Sequence, residues 1–147
     1  MKLASVEVNF ENNNLHRVSI KELLRQFSDT EDPDIDSDKM NDLLRDTINS
    51  EDIHTFLFYD EGCPVAMYVG TVKPAMLSRS LYIDAVVVAK SYRGNRITDN
   101  ILIPHMKEMA REYGCGQIDL TSSKPGAQKV YRRNGFSEGT VAFRLNL

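Results

Sequence analysis

Two cysteines, three histidines and no long apolar run set the first limits on this chain. Cys63 and Cys115 sit in no metal-ligand or redox spacing, so they read as reduced thiols of a cytoplasmic protein, although a single bridge between them stays open. His16, His54 and His105 lie in unrelated contexts, make no triad or metal pattern and are assigned no role, and no metal is expected. No segment is apolar enough to cross a bilayer and the N-terminus lacks the apolar core of a signal peptide, so neither membrane insertion nor secretion is expected. Net charge is only −3 and the basic residues are interrupted, which argues against a nucleic-acid partner.

What is present is a composition suited to a full core. At 147 residues, with 41% hydrophobic and 27% charged side chains, residues 1–147 are expected to form one globular domain. Charge is divided unevenly along it. Residues 28–52 hold ten acidic residues against two basic, whereas residues 90–147 hold ten basic against five acidic. A basic half suits a polyanionic ligand and an acidic half a cationic one; both also suit plain solvated surfaces.

The chain is organised around Val86 to Thr98. Leu81 to Ala89 is rich in β-branched residues and apolar on both alternating faces apart from Asp84, as in a central strand covered on both sides. Gly94 then permits a turn closed to other residues, and a helix from about Ile97 turns its free backbone N–H groups toward that turn. Arg93 and Arg96 add fixed positive charge, so the stretch is a candidate seat for a pyrophosphate, or else a basic surface turn.

Before it, the pattern predicts a strand over Lys2–Phe10 and a helix over Ile20–Phe27 with a Ser19/Glu22 capping box and a Val18/Leu23 staple. An acidic loop with Pro33, a helix over Asp38–Asn49, a hairpin of Ile53–Tyr59 with Val65–Val72, and a loop over Lys73–Ser80 follow. After it come a helix over Ile97–Tyr113 kinked at Pro104 and a strand over Gln117–Thr121. A helix carrying Tyr131 and closed by Asn134-Gly135 is then followed by strands over Phe136–Glu138 and Val141–Leu145.

Two of these motifs, in this order, resemble the GNAT superfamily of acyl-CoA-dependent N-acetyltransferases. The apolar strand passes into Tyr92-Arg93-Gly94-Asn95-Arg96-Ile97-Thr98, where Arg93 matches the first fixed position of the family's cofactor loop. Arg96 stands where glycine is usual and Thr98 where glycine or alanine is usual. Ala127 to Phe136 is similar to the family's C-terminal segment, a helix bearing Tyr and ending in Gly-Phe, with Ala127, Tyr131, Gly135 and Phe136 in place. The resemblance covers residues 53–147 in order and spacing, and the first fifty only by layout.

The resemblance implies an α/β fold with a mixed, mostly antiparallel sheet splayed between its fourth and fifth strands and flanked by helices. It implies acetyl-CoA as acyl donor and an amine acceptor, a small cationic amine or a protein amino group, attacked directly in a ternary complex. Backbone groups of Val86, Val87 and Val88 would hold the pantetheine arm, and Arg93, Gly94, Asn95, Arg96, Ile97 and Thr98 the phosphates. Lys124 stands where the family often has an Asn that touches the cofactor, and is either a phosphate contact or an exposed bystander. Tyr131 would be the general acid, its pKa lowered by Lys129, Arg132 and Arg133. Asp84 is the candidate base, or the ion-pair partner of Arg79. The alternative is a GNAT-like domain whose loop is closed by Arg96 and Thr98 and which serves as a binding module. Whether the chain forms a homodimer is open at this level.

Overall fold

β-Branched and aromatic side chains concentrate in five segments, and these pair into one sheet in a computed structural model that describes residues 2–27, 35–74, 76–139 and 143–147. The strands are β1 (Ala4–Val8), β2 (Ile53–Asp60), β3 (Cys63–Pro74), β4 (Arg79–Val88) and β5 (Gln117–Leu120), lying in sequence order across the sheet. β1 to β4 pair antiparallel, whereas β5 runs parallel to β4. This is the mixed α/β sheet expected from the sequence. Helices α1 (Asn13–Phe27) and α2 (Asp38–Asn49) precede β2, α3 (Ile103–Glu112) joins β4 to β5, and α4 (Pro125–Arg133) follows β5.

The sheet is covered on both faces, which is why β2, β3 and β4 carry near-continuous apolar runs. One face packs Phe56, Tyr68, Leu81 and Ile83 against Leu102, Met106 and Ala110 of the α3 region and against Tyr131. The other packs Leu57, Met67 and Val87 against Ile20 and Leu23 of α1. Glu61 and Gly62, at φ 47° and 84°, make the two-residue turn between β2 and β3. Between β3 and β4 the register slips: Val69 faces Ala85 and Gly70 faces Ile83, so Asp84 is left over as a bulge.

Several boundaries depart from the sequence expectation. Helix α1 starts at Asn13, seven residues before Ile20, because the asparagines begin a helix rather than only end a strand. Asn9 and Asn12 exchange backbone-to-side-chain hydrogen bonds of 2.8 and 3.0 Å, and Asn13 donates to the Phe10 carbonyl at 2.7 Å. Ser19 therefore lies inside the helix and caps nothing, and Val18 is exposed rather than stapled to Leu23. The β3–β4 hairpin continues to Pro74 and Arg79, through most of the expected loop. The turn before Pro104, Thr98–Leu102, is π-helical, with Ile103 N–H bonded to the Thr98 carbonyl, and Pro104 falls in the first turn of α3, where no donor is needed.

Phe136–Glu138 is not a strand. Gly135 takes φ 91°, its N–H bonds the Arg132 carbonyl at 3.1 Å, and Phe136 N–H bonds the Tyr131 carbonyl at 3.0 Å. The Phe136 ring packs edge-on to that of Tyr131 at 5.4 Å, so the residue belongs to the helix cap. Of the second expected strand, Val141 and Ala142 lie outside the described residues, and Phe143–Leu145 has no strand pairing. Gly135→Ala should cost about 1 kcal/mol by forcing a side chain into the left-handed region. A thermal melt reads it directly.

Candidate active-site cleft

The fourth and fifth strands part company early. Pairing between them runs from Ser80 opposite Gln117 to Ile83 opposite Leu120 and stops, while β4 continues through Asp84, Ala85, Val86, Val87 and Val88. Beyond Ile83 the β5-facing edge of β4 is therefore open, among the described residues. A cleft of about 280 Å³ occupies the gap. Its walls are Ile83–Val88 of β4, Leu120 at the end of β5 with Thr121–Lys124 after it, Ala127, Val130 and Tyr131 of α4, and also Phe27, Arg93 and Thr98.

The turn after β4 is tight and twice left-handed. Residues Lys90–Tyr92 form one 3₁₀ turn, Gly94 takes φ 87° and Arg96 takes φ 53°. Arg96 thus keeps the left-handed backbone that glycine supplies at this position of the motif, at a cost of about 1 kcal/mol. Arg96→Gly relieves that strain but loosens the unfolded chain by a similar amount, so stability should shift by less than about 1 kcal/mol. Arg96→Val, with a β-branched side chain at the same φ, should destabilise by about 1–2 kcal/mol. Paired denaturant titrations separate the two.

A second hollow adjoins the first around this turn, lined by Tyr92, Arg93, Gly94, Arg96, Ile97, Thr98, Asp99 and Arg133. Val88, Arg93, Thr98 and Val130 line both hollows. Arg93 is also a brace: its Nε donates to the Val88 carbonyl at 3.1 Å and Nη2 to the Gln26 carbonyl at 3.0 Å, tying the turn to the C-terminal end of α1. Lys90 N–H reinforces the tie by donating to the Gln26 side-chain oxygen at 2.7 Å. The Asn95 side chain points inward to the Tyr92 carbonyl at 2.9 Å and lines neither hollow. Ile97 is buried and lines the second hollow.

Asp99, in the π turn, locks this loop to α4. Arg133 donates to its two oxygens at 2.7 and 2.6 Å, and Asn134 adds a bond of 2.7 Å. Arg133, with Asn134 and the nearby charge of Arg96, holds the Asp99 carboxyl well below its ordinary range, at about 2.

Tyr131 is buried and its ring forms part of the cleft wall. Burial raises its pKa, the reverse of the shift expected from its basic neighbours. Those neighbours are spent elsewhere: Arg133 on Asp99, and Arg132 on Glu138, to which its Nε donates at 2.7 Å, while Lys129 is exposed. Asp84, exposed at the bulge, also lines the cleft, and its carboxylate accepts a bond of 2.5 Å from the Thr71 hydroxyl. It does not pair with Arg79, whose guanidinium donates to the Tyr113 carbonyl at 3.0 Å. Lys124 is exposed at the start of α4, with Nζ 5.9 Å from the centre of the Phe27 ring across the cleft mouth.

Sequence reasoning missed Phe27 and the Leu120–Ser123 wall. Phe27 looked like one more apolar position of its helix, and nothing local marks the residues after a short strand as a cleft wall. The histidines lie apart from the cleft: His105 Nδ1 is 2.7 Å from the Tyr68 hydroxyl, and His54 Nδ1 is 2.6 Å from a Glu7 carboxylate oxygen. Both cysteines are free thiols. Among the described residues, no helix is long and apolar enough to cross a membrane, and no three His, Cys, Asp or Glu side chains cluster as metal ligands would.

A model of the acetyltransferase (GNAT) family matches residues 18–136. No curated protein matches the chain. Among solved structures, the fold is similar to that of a predicted acetyltransferase with acetyl-CoA from Clostridium acetobutylicum, at 18% identity over 99% of this chain and 96% of that one, with a TM-score of 0.75. It is similar to AAC(6')-Iy in complex with the bisubstrate analog CoA-S-monomethyl-acetylneamine, at 17% identity over the whole of both chains, TM-score 0.77. It is also similar to an aminoglycoside acetyltransferase from an uncultured soil metagenomic sample in complex with sisomicin, at 18% identity over 99% and 96% of the two chains, TM-score 0.78. At these identities the structures speak for the fold.

Proposed function

Because this chain belongs to the acetyltransferase (GNAT) family, we propose that it transfers an acetyl group from acetyl-CoA to a cationic amine by direct attack in the cleft between β4 and β5. The observation that carries this reading is the open edge of β4 from Asp84 to Val88 with Tyr131 among the residues that line the same cleft. A strand edge without a partner offers N–H and C=O groups at the spacing of an extended, amide-bearing arm such as pantetheine. The adjoining turn, with Gly94 and Arg96 left-handed and three arginines around it, suits the phosphates at the arm's far end.

Each residue then has a chemical task. Those backbone groups of Val86 to Val88 that face the open edge of β4 hold the donor and stabilise the oxyanion as the amine nitrogen bonds to the thioester carbon. Tyr131 gives its proton to the sulfur as the C–S bond breaks; burial keeps it protonated at neutral pH, so the acid form is always present. Asp84, exposed on the bulge and already held by Thr71, takes a proton from the incoming ammonium directly or through water. Arg93 supports the turn with the two bonds described and has further N–H groups for phosphate. Lys124 and Phe27 frame the mouth.

The acidic stretch between α1 and α2, and Asp84 itself, favour a positively charged acceptor. The reading is tested by incubating the protein with acetyl-CoA and a panel of polyamines, aminoglycosides and lysine peptides, following both free thiol and the mass of the acetylated product. Thiol release that depends on the amine, with a matching gain of one acetyl group, supports it. Thiol release without product, or none with any amine, counts against it.

A further inference from the structure

Met67 and Val69 of β3 belong to the core beneath α1, and the same face of the strand continues through Thr71 and Lys73. There the sheet changes from apolar to polar. Tyr82 stands opposite Thr71 in the register, so their side chains share this face, and the carboxylate of Asp84 accepts the Thr71 hydroxyl proton on it. The Tyr82 hydroxyl lies 3.2 Å from that of Thr121, a residue of the cleft wall. The polar floor is thus continuous with the cleft, at Asp84 and at Thr121.

Lys73 supplies a cation to this floor. The residue is exposed, and its Nζ lies over the Tyr82 ring, 4.0 Å from the centroid. The ring holds the ammonium in place without neutralising it, and Lys73 forms no ion pair among the described residues. Asp119, beside Tyr82 on β5, accepts instead from the Gln117 amide at 2.8 Å. Asp84 and Lys73 therefore present opposite charges on one surface, with Thr71 and Tyr82 between them. Two residues along a strand span about 7 Å, which sets the scale of the separation from Thr71, where Asp84 is held, to Lys73.

We propose that the acceptor is an amine that also carries a carboxylate, an ω-amino carboxylate whose ammonium lies at Asp84 and whose carboxylate is held by Lys73. The assignment rests on acetyl transfer in the cleft and narrows the acceptor of that reaction. A diamine would set its second ammonium against Lys73, so the residue that attracts the carboxylate also discriminates against the polycation.

The test is kcat/KM of the intact chain, at saturating acetyl-CoA, for 6-aminohexanoate, its neutral amide 6-aminohexanamide, and 1,6-diaminohexane. The wild type should prefer the carboxylate to the amide by about fivefold and use the diamine least. Lys73→Met should bring the carboxylate and the amide close to parity, and Lys73→Glu should put the diamine first. A lysine that only supported the fold would lower all three rates together. A wild type that uses the amide or the diamine as well as the carboxylate overturns the proposal while acetyl transfer stands, and so does a carboxylate preference that survives Lys73→Glu. Acetylation of none of the three also overturns it, and the wider panel of polyamines, aminoglycosides and lysine peptides then decides acetyl transfer separately.

Discussion

Tyr131→Phe should lower kcat by about 100-fold or more, while KM for acetyl-CoA stays within about twofold. The substitution removes only a hydroxyl. The ring still forms part of the cleft wall and packs against Phe136, so the fold and the donor site persist. On the proposed mechanism, what disappears is the proton for the departing sulfur, a loss felt in the transition state rather than in binding. Steady-state kinetics at saturating amine check it. The pH profile adds a second reading. The working form is the neutral phenol, and burial raises its pKa above the ordinary 10.0, so activity should hold on the alkaline side until above pH 10 and fall only there. In Tyr131→Phe that alkaline fall should vanish from the residual rate.

Asp99→Ala should destabilise the protein by about 2 kcal/mol, since it removes charge-assisted bonds to Arg133 and Asn134 at one stroke. For a chain of this size the melting temperature should drop by about 4–8 °C. Asp99 lies largely buried and Arg133 is half-exposed, so the arginine regains water when its partner goes, which keeps the cost below that of a fully buried pair. The pH dependence follows from the depressed carboxyl. Its contribution is complete above the ordinary 3.8 and is lost as pH falls from 3.8 to about 2, so wild type and variant should converge in acid. A cycle with Arg133→Ala should be strongly non-additive, because both substitutions break one clamp. The clamp ties the start of the helix after β4 to the end of α4, and so fixes the separation of the Gly94–Arg96 turn and Tyr131.

The sheet, the hairpin, α2 and the strand–turn–helix at Val86–Thr98 were legible because each rests on local signals: β-branched runs, the Glu61-Gly62 turn, an acidic first helical turn. α1 was read seven residues short because its start depends on side-chain bonds among Asn9, Asn12 and Asn13, which a run of asparagines does not distinguish from a turn. The bulge at Asp84 is a property of two strands together, invisible in either. Phe136 was misplaced because a residue after a left-handed glycine either starts a strand or folds back on its helix, and only the Tyr131 ring decides. The direction of the Tyr131 pKa turned on where Arg132 and Arg133 point, which is tertiary information.

Arg96 and Arg93 bear on the rival reading, in which the loop is closed and the domain only binds partners. Arg96 holds a glycine-like φ and Arg93 spends part of its guanidinium on two carbonyls. The measurement that decides is a calorimetric titration of the purified chain with acetyl-CoA, run beside desulfo-CoA and an Arg93→Ala variant whose melting curve is recorded in parallel. Micromolar binding of acetyl-CoA and desulfo-CoA, weakened at least about tenfold in a folded Arg93→Ala, is the predicted result. Absence of heat up to millimolar acetyl-CoA in the intact protein would contradict the account.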